Sequence, residues 1–354
     1  MAVFRSSAAR PTRAIVVTGA LSAALFALGL SAAAAAAPRV VASIPPVHSL
    51  AAMAMEGIGA PVLLLPGGAS PHAYALRPSE SRALSAAALV VIVGSGLEPF
   101  LAKPLRAATE EGRVLEVARL PGMKKLPVRA GGLWSAEDDG HGHGHGHGQD
   151  RDRSRDRNRD HDHDHGAGDG TDPHLWLDTG NARIALAGIA GRLARIDPAN
   201  AAVYRANRDR WDVRLAALAP ELRSALAPVR AEPFLVLHDA WQYFEAEFGL
   251  RGVGAIALSP ERPPGARRLV ALRGRLQESG ARCVFSEPQF PAAIVGTLIR
   301  ETPARTAAID PLGADLAPGA DLYPALMRGI ARTLVGCLSS GSPGGFPDPP
   351  GMRR

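Results

Sequence analysis

The side chains in this chain best suited to chemistry are its 11 histidines, which fall into two groups. One group lies in a low-complexity stretch. His141, His143, His145 and His147 alternate with glycine, and His161, His163 and His165 alternate with aspartate, with an Arg/Asp run between them. The other group is scattered: His48, His72, His174 and His238 each stand alone. Neutral imidazole is a ready ligand for zinc and its neighbours, so both groups are candidate metal binders, but of different kinds. The stretch has no apolar residue between Gly140 and Gly166 and cannot join a packed core. Any complex it forms must order flexible backbone, at a cost of about 1–2 kcal/mol per fixed residue. It reads either as weak, multiple-site accessory binding that raises the local metal concentration or as an idle solvated insertion.

Three of the solitary histidines sit at element boundaries. His72 follows a β-like run and a glycine break, in Gly68-Ala69-Ser70-Pro71-His72-Ala73-Tyr74. His174 lies in Asp172-Pro173-His174-Leu175-Trp176, and His238 ends the run Phe234–Leu237 and precedes Asp239. α/β sheets present ligand-binding groups at such boundaries. Together these three would supply a nitrogen set of the kind zinc accepts; singly, each is an ordinary surface or core histidine. Asp310 ends the last β-like run and is a candidate fourth ligand, or else a cap for the turn at Pro311. Glu287 also follows a β-like run, and a supporting role suits it better than ligation. His48 begins a helix and reads as structural.

The elements that must position these residues alternate in type. β-like runs cover Val40–Ile44, Val62–Leu65, Leu89–Val93 and Val114–Val117, with helical patterns at His48–Met55 and 79–88, the latter with Ser79 as N-cap. Leu89–Val93 is continuously apolar, as suits a strand buried on both faces. After the histidine-rich stretch come two helical segments, Asn181–Ile196 and one starting at Asp197-Pro198 that runs at least to Leu218, with Pro220 expected to end or kink it. Alternation then resumes. β-like runs cover Phe234–Leu237, Gly252–Leu258, Cys283–Phe285 and Thr306–Ile309, and helices cover Trp241–Phe248, Ala266–Ser279, Pro291–Glu301 and Tyr323–Cys337. This is an α/β chain with two lobes built on mainly parallel sheets. The expected divisions are an N-terminal lobe over 38–178 carrying an insertion at 138–170, a helical link over 179–228, a C-terminal lobe over 229–338 and a Gly/Pro-rich tail over 339–354.

Composition sets the compartment. Arg5, Arg10 and Arg13 precede the apolar run Ala14–Leu30 and a string of alanines, the pattern of a cleavable secretory signal over 1–37. Without those three arginines the formal net charge falls from +6 to +3, too little to argue for nucleic acid. No other segment is apolar enough to span a membrane. The exported chain is expected to be periplasmic, not membrane-inserted, and monomeric. Its two cysteines, Cys283 and Cys337, are expected to pair in an oxidising compartment, the alternative being two buried thiols.

These segments carry a resemblance. The chain resembles the metal-specific solute-binding proteins of bacterial ABC transporters, in particular the zinc-uptake group, over nearly all of 38–338. The residues that carry it are Gly68 to Ser79, His174-Leu175-Trp176-Leu177, Leu237-His238-Asp239-Ala240, Ser286-Glu287-Pro288-Gln289-Phe290 and Asp310-Pro311-Leu312-Gly313. The resemblance implies two Rossmann-like lobes joined by a long rigid helix, with Zn2+ held between them by His72, His174 and His238. Manganese-type relatives carry a carboxylate where His238 stands, so it favours zinc. It also implies a late disulfide and a histidine-rich insertion before the second ligand. Some zinc members have Glu where Pro71 stands here, which leaves the fourth position between Asp310 and water, and the resemblance favours Asp310 as the fourth ligand. The implied function is delivery of Zn2+ to an ABC permease with its cytoplasmic ATPase, without catalysis. The alternatives are a manganese or broad divalent-metal carrier and, further off, a zinc hydrolase with Glu287 as base.

Overall fold

The computed structural model describes residues 36–66, 68–130, 134, 170–257, 264–290, 293–300 and 302–339. The expected signal segment up to residue 35, the histidine repeats and the tail from 340 lie outside the described residues.

The first lobe is a four-stranded sheet, β1 (Val40–Ala42), β2 (Val62–Leu63), β3 (Leu89–Ile92) and β4 (Val114–Glu116), in the order β2-β1-β3-β4. Every pairing in it is parallel. β1 and β3 are buried throughout, as their unbroken apolar sequence requires of central parallel strands. Helix α1 (Pro45–Met55) starts earlier than expected. Pro45 and Pro46 occupy its first turn, where no backbone N–H is needed, and do not merely end the strand. For the same reason α2 (Pro78–Ser85) begins at Pro78 and Ser79 is not its cap. Glu80 closes the start instead, accepting the Arg77 backbone N–H at 2.7 Å and the Tyr74 hydroxyl at 2.8 Å. α3 (Arg106–Glu110) leads into β4.

The second lobe repeats this plan. β5 (Pro233–His238), β6 (Arg251–Ala257), β7 (Cys283–Ser286) and β8 (Arg305–Ala308) form an all-parallel sheet in the order β6-β5-β7-β8. Helices α6 (Gln242–Phe248), α7 (Ala266–Ser279), α8 (Ala293–Ile299) and α9 (Leu322–Leu338) connect or follow the strands. Alternation along β5 sends Phe234 and Val236 into the main core and Leu235 and Leu237 into a smaller one beneath α7 and α8. The Cys283–Cys337 disulfide ties β7 to α9.

Two helices lie between the sheets in sequence. α4 (Thr179–Ile196) is capped by Asp178, which accepts the Asn181 N–H, and packs on α1 of the first lobe. α5 (Ala201–Leu226) has 26 residues, hence a length of about 39 Å. It packs against α1 and α4 and also against α9 of the second lobe. Pro220 does not end it. Leu218, Leu222 and Leu226 on either side of the proline are all buried, and that packing carries the helix past the missing hydrogen bond. The main core runs unbroken from β1 through α4 and α5 to α9, so the lobes share one interior. Among the described residues no helix is long and apolar enough to cross a membrane.

Candidate metal centre

The C-terminal ends of the two sheets face a common point. His72 lies in the turn after β2 and is partly buried. His174 follows the sharp Asp172-Pro173 step, and His238 is the last residue of β5; both are only 5% exposed. The His174 Nε2 lies 3.3 Å from the Nε2 of His72 and 3.3 Å from that of His238. All three ring nitrogens fall within 4.8 Å of one another.

The other face of two of these rings fixes which nitrogen is bare. The His174 Nδ1 sits 2.8 Å from Asp172 Oδ1, which also accepts the His174 backbone N–H at 3.0 Å. The His238 Nδ1 sits 2.7 Å from Glu287 Oε1. A carboxylate accepts only, so each Nδ1 carries the proton and each Nε2 is left with a free lone pair. Two lone pairs at 3.3 Å do not bond to each other. They are spaced as ligands of one ion, since nitrogens about 2.0–2.1 Å from a tetrahedral zinc lie about 3.3 Å apart.

The electrostatics suit a cation. Burial, helped by nearby His238, holds His174 well below the usual imidazole range, so it is neutral. Burial opposes charge on His238 too, but Glu287, Asp239 and Asp172 outweigh it and raise its pKa. Burial pushes Asp172 up to about 7, against the opposing pull of the His174 N–H and Arg129. Asp172 Oδ2 and Glu287 Oε2 are buried with no hydrogen-bond partner, so each carboxyl commits one oxygen to its imidazole and leaves the other bare. The three imidazoles line a cavity of about 10 Å³, room for one water-sized sphere, walled by Pro71, Trp176, Phe290 and Leu312. The Trp176 ring lies tilted 5.4 Å from the His174 ring, and Phe290 meets the His238 ring edge-on at 5.5 Å.

Asp310 is not brought into this cluster. Its Oδ1 accepts Gln289 Nε2 at 2.7 Å and the Leu312 N–H at 2.9 Å, and its Oδ2 takes the Ala314 N–H. It caps the Pro311 turn, the other role open to it. His48 is buried in α1 with Nε2 3.0 Å from the Pro61 carbonyl, away from the centre. His141, His143, His145, His147, His161, His163 and His165 lie outside the described residues. Glu287 takes the supporting place expected of it. Asp172 is not among the residues singled out by type and boundary position; its spacing two residues before His174, across a proline, is the signal the chain offers for it.

Two parallel α/β lobes braced by one long helix, with imidazoles from both converging on an ion-sized cavity, define a two-lobed solute-binding protein for a metal ion. Residues 40–337 match the profile of the zinc-uptake complex component A, periplasmic, and the chain belongs to that family. It is 45% identical over 305 residues to the high-affinity zinc uptake system protein ZnuA of Brucella suis biovar 1 (strain 1330), covering 85% of this chain and 91% of that protein. It is 44% identical over 317 residues to the protein of the same name from Paracoccus denitrificans (strain Pd 1222), covering 89% and 96%. Among solved structures it resembles a crystal structure of ZnuA with TM-score 0.68 at 25% identity, covering 86% of this chain and 100% of that one. It shares its fold with the solute-binding protein FpvC of Pseudomonas aeruginosa, with TM-score 0.67 at 22% identity, covering 85% and 98%.

Proposed function

We propose that this protein binds one zinc ion between its lobes and delivers it to an ABC permease for import. The observation that carries the reading is the convergence of three Nε2 atoms, with two of the rings locked by carboxylates in the metal-ready tautomer. Three imidazoles, with no carboxylate oxygen beside them among the described residues, suit zinc over manganese, which prefers oxygen. With Asp310 occupied by its turn, a water completes the tetrahedron. The family's location and the Arg-Ala leader together support export to the periplasm and cleavage of residues 1–37, and the protein acts there as a carrier and not as an enzyme. Docking on the permease loosens the lobes and releases the ion. The histidine repeats act as a weak accessory store.

Titrating the metal-free protein with zinc in competition with a chelating dye, alone and against manganese, tests this. The expected result is one tight zinc equivalent that manganese does not displace, retained after deletion of 138–165 with loss only of weaker equivalents. Tighter manganese binding, or loss of the tight site in the deletion variant, would sink the assignment.

A further inference from the structure

One charged side chain crosses between the lobes beside the metal centre without touching it. Arg129 follows a short two-stranded stem in which Pro127 bridges Thr171 in antiparallel sense. The Val128 N–H donates to the Gly170 carbonyl, and the Asp172 N–H to that of Leu126, both at 2.8 Å. The stem therefore carries Asp172, the residue that orients His174. From it, the Arg129 guanidinium reaches the second lobe and forks over two carboxylates. Its Nε lies 2.9 Å from both oxygens of Asp239, its second terminal nitrogen also bonds Asp239, and its first meets Glu245 Oε2 at 2.7 Å. Asp239 is the neighbour of His238, and Glu245 belongs to α6.

The surroundings are shaped for this contact. The Trp134 ring covers one face of the Arg129 guanidinium, whose Cζ lies 3.4 Å from the ring centroid. Glu245 rests against β6, where a Cβ at Gly252 would come within 2.6 Å of its Oε1 and displace the carboxylate from the fork. A second thread runs parallel to the first. The Tyr243 hydroxyl of α6 accepts the Leu126 N–H at 2.9 Å and donates to the Asp172 carbonyl at 3.0 Å. The stem that carries one ligand's partner is thus tied at both edges to the strand-end and helix that carry another ligand.

We propose that Arg129 is an interlobe latch. By holding Asp239 and Glu245 to the stem, it positions His238 against His174 and slows escape of the ion, so that the permease must break this fork to open the centre. The inference rests on the zinc-carrier reading and adds to it a residue that sets retention. A planar guanidinium is required because a lysine ammonium cannot hold two carboxylates in one fork. Losing one partner of a buried charge pair acts chiefly on dissociation.

The test is zinc release from the full-length protein into excess chelator, followed by stopped-flow, with association and the melting temperature of the metal-free form measured alongside. Arg129→Gln is expected to speed release by about tenfold or more and to change association by less than about threefold. Arg129→Lys should be intermediate, and Glu245→Gln should shift release in the same direction. A folded Arg129→Gln with a lower melting temperature but unchanged release would reduce the residue to a structural brace and overturn the proposal. Should Arg129→Gln not fold, Arg129→Lys and Glu245→Gln decide by the same measurement. The carrier reading fails separately, if the unaltered protein binds no zinc. In that case hydrogen exchange at the Leu126 and Val128 amides still reads the latch: faster exchange in Arg129→Lys supports it, and unchanged exchange overturns it.

Discussion

The two lobes are built on the same plan and put it to different uses. Each sheet has its first strand in the interior, its second at one edge and its third on the other side of the first. In each, a buried glutamate follows the third strand and bonds the polar residue at the end of the first. In the first lobe Glu98 accepts the Ser43 hydroxyl, with the Val93 N–H at 3.1 Å and the Gly94 N–H at 2.8 Å. In the second lobe Glu287 accepts His238 Nδ1 and leaves its other oxygen unpartnered. The first arrangement satisfies both oxygens and serves as a staple. The second commits one oxygen to an imidazole and leaves the other bare, orienting the His238 ring toward the cavity. The parallel teaches that the topology supplies a buried acid at each sheet's C-terminal end, and the side chain opposite decides between structure and binding.

Changes at the two ends should therefore separate cleanly when zinc affinity is read. His238→Ala should have the largest effect, a loss of at least about 100-fold in a dye competition, since it removes a nitrogen and not merely its support, which alone is worth about 10–100-fold. Retention of nanomolar-range binding by that variant would break the comparison at its centre. Glu287→Gln should cost about 10–100-fold by the same assay, and Asp172→Asn a similar amount, because each unlocks one imidazole tautomer.

Glu98→Gln should leave zinc affinity within about threefold and act on stability instead. Burial pushes Glu98 up to about 7 from its usual 4.5. A carboxyl raised in the fold ionises first in the unfolded chain, so its contribution to stability is fully present below about 4.5 and declines as pH rises through about 7. By linkage this slope amounts to about 3 kcal/mol. Denaturant titrations at pH 4.5 and 8 should show a fall in stability that is smaller by about this amount in Glu98→Gln than in the unaltered protein, since Asp172 contributes a fall of the same sign to both; an equal fall in the two would refute the staple. The smallest effect on zinc should come from Cys283→Ser with Cys337→Ser. That pair closes a 54-residue separation within the second lobe, distant in sequence from any ligand. Its removal should lower stability by about 2–4 kcal/mol, seen as a lower melting temperature, with zinc affinity unchanged.

Much of this was legible in the chain. Alternating apolar runs and helical periodicity place every strand of both sheets to within a few residues, and Ala266–Ser279 is the helix the periodicity marks out. His72, His174 and His238 stand out because each is solitary at an element boundary. The misplacements have local causes. The expected helix starts at His48 and Ser79 fall late because Pro45 and Pro78 open those helices, where the first turn needs no N–H. Pro220 looks like a stop, but burial on both sides of it prevails. Asp310 shares a topological position with His238, yet the amides of its own turn and Gln289 engage both its oxygens.

The amino-acid sequence by itself determined the α/β alternation, the lobe count, the pairing partners available to the cysteines and the three imidazoles. These depend on periodicity and residue type, which are local. Tertiary structure alone decided which nitrogen of His174 and His238 faces the shared cavity, which oxygen of Asp172 and Glu287 meets each ring, and that Arg129 spans the lobes. Those outcomes depend on the direction of hydrogen bonds between groups such as Arg129 and Asp239, 110 residues apart, and direction at such separation is a property of packing, which no spacing along the chain encodes.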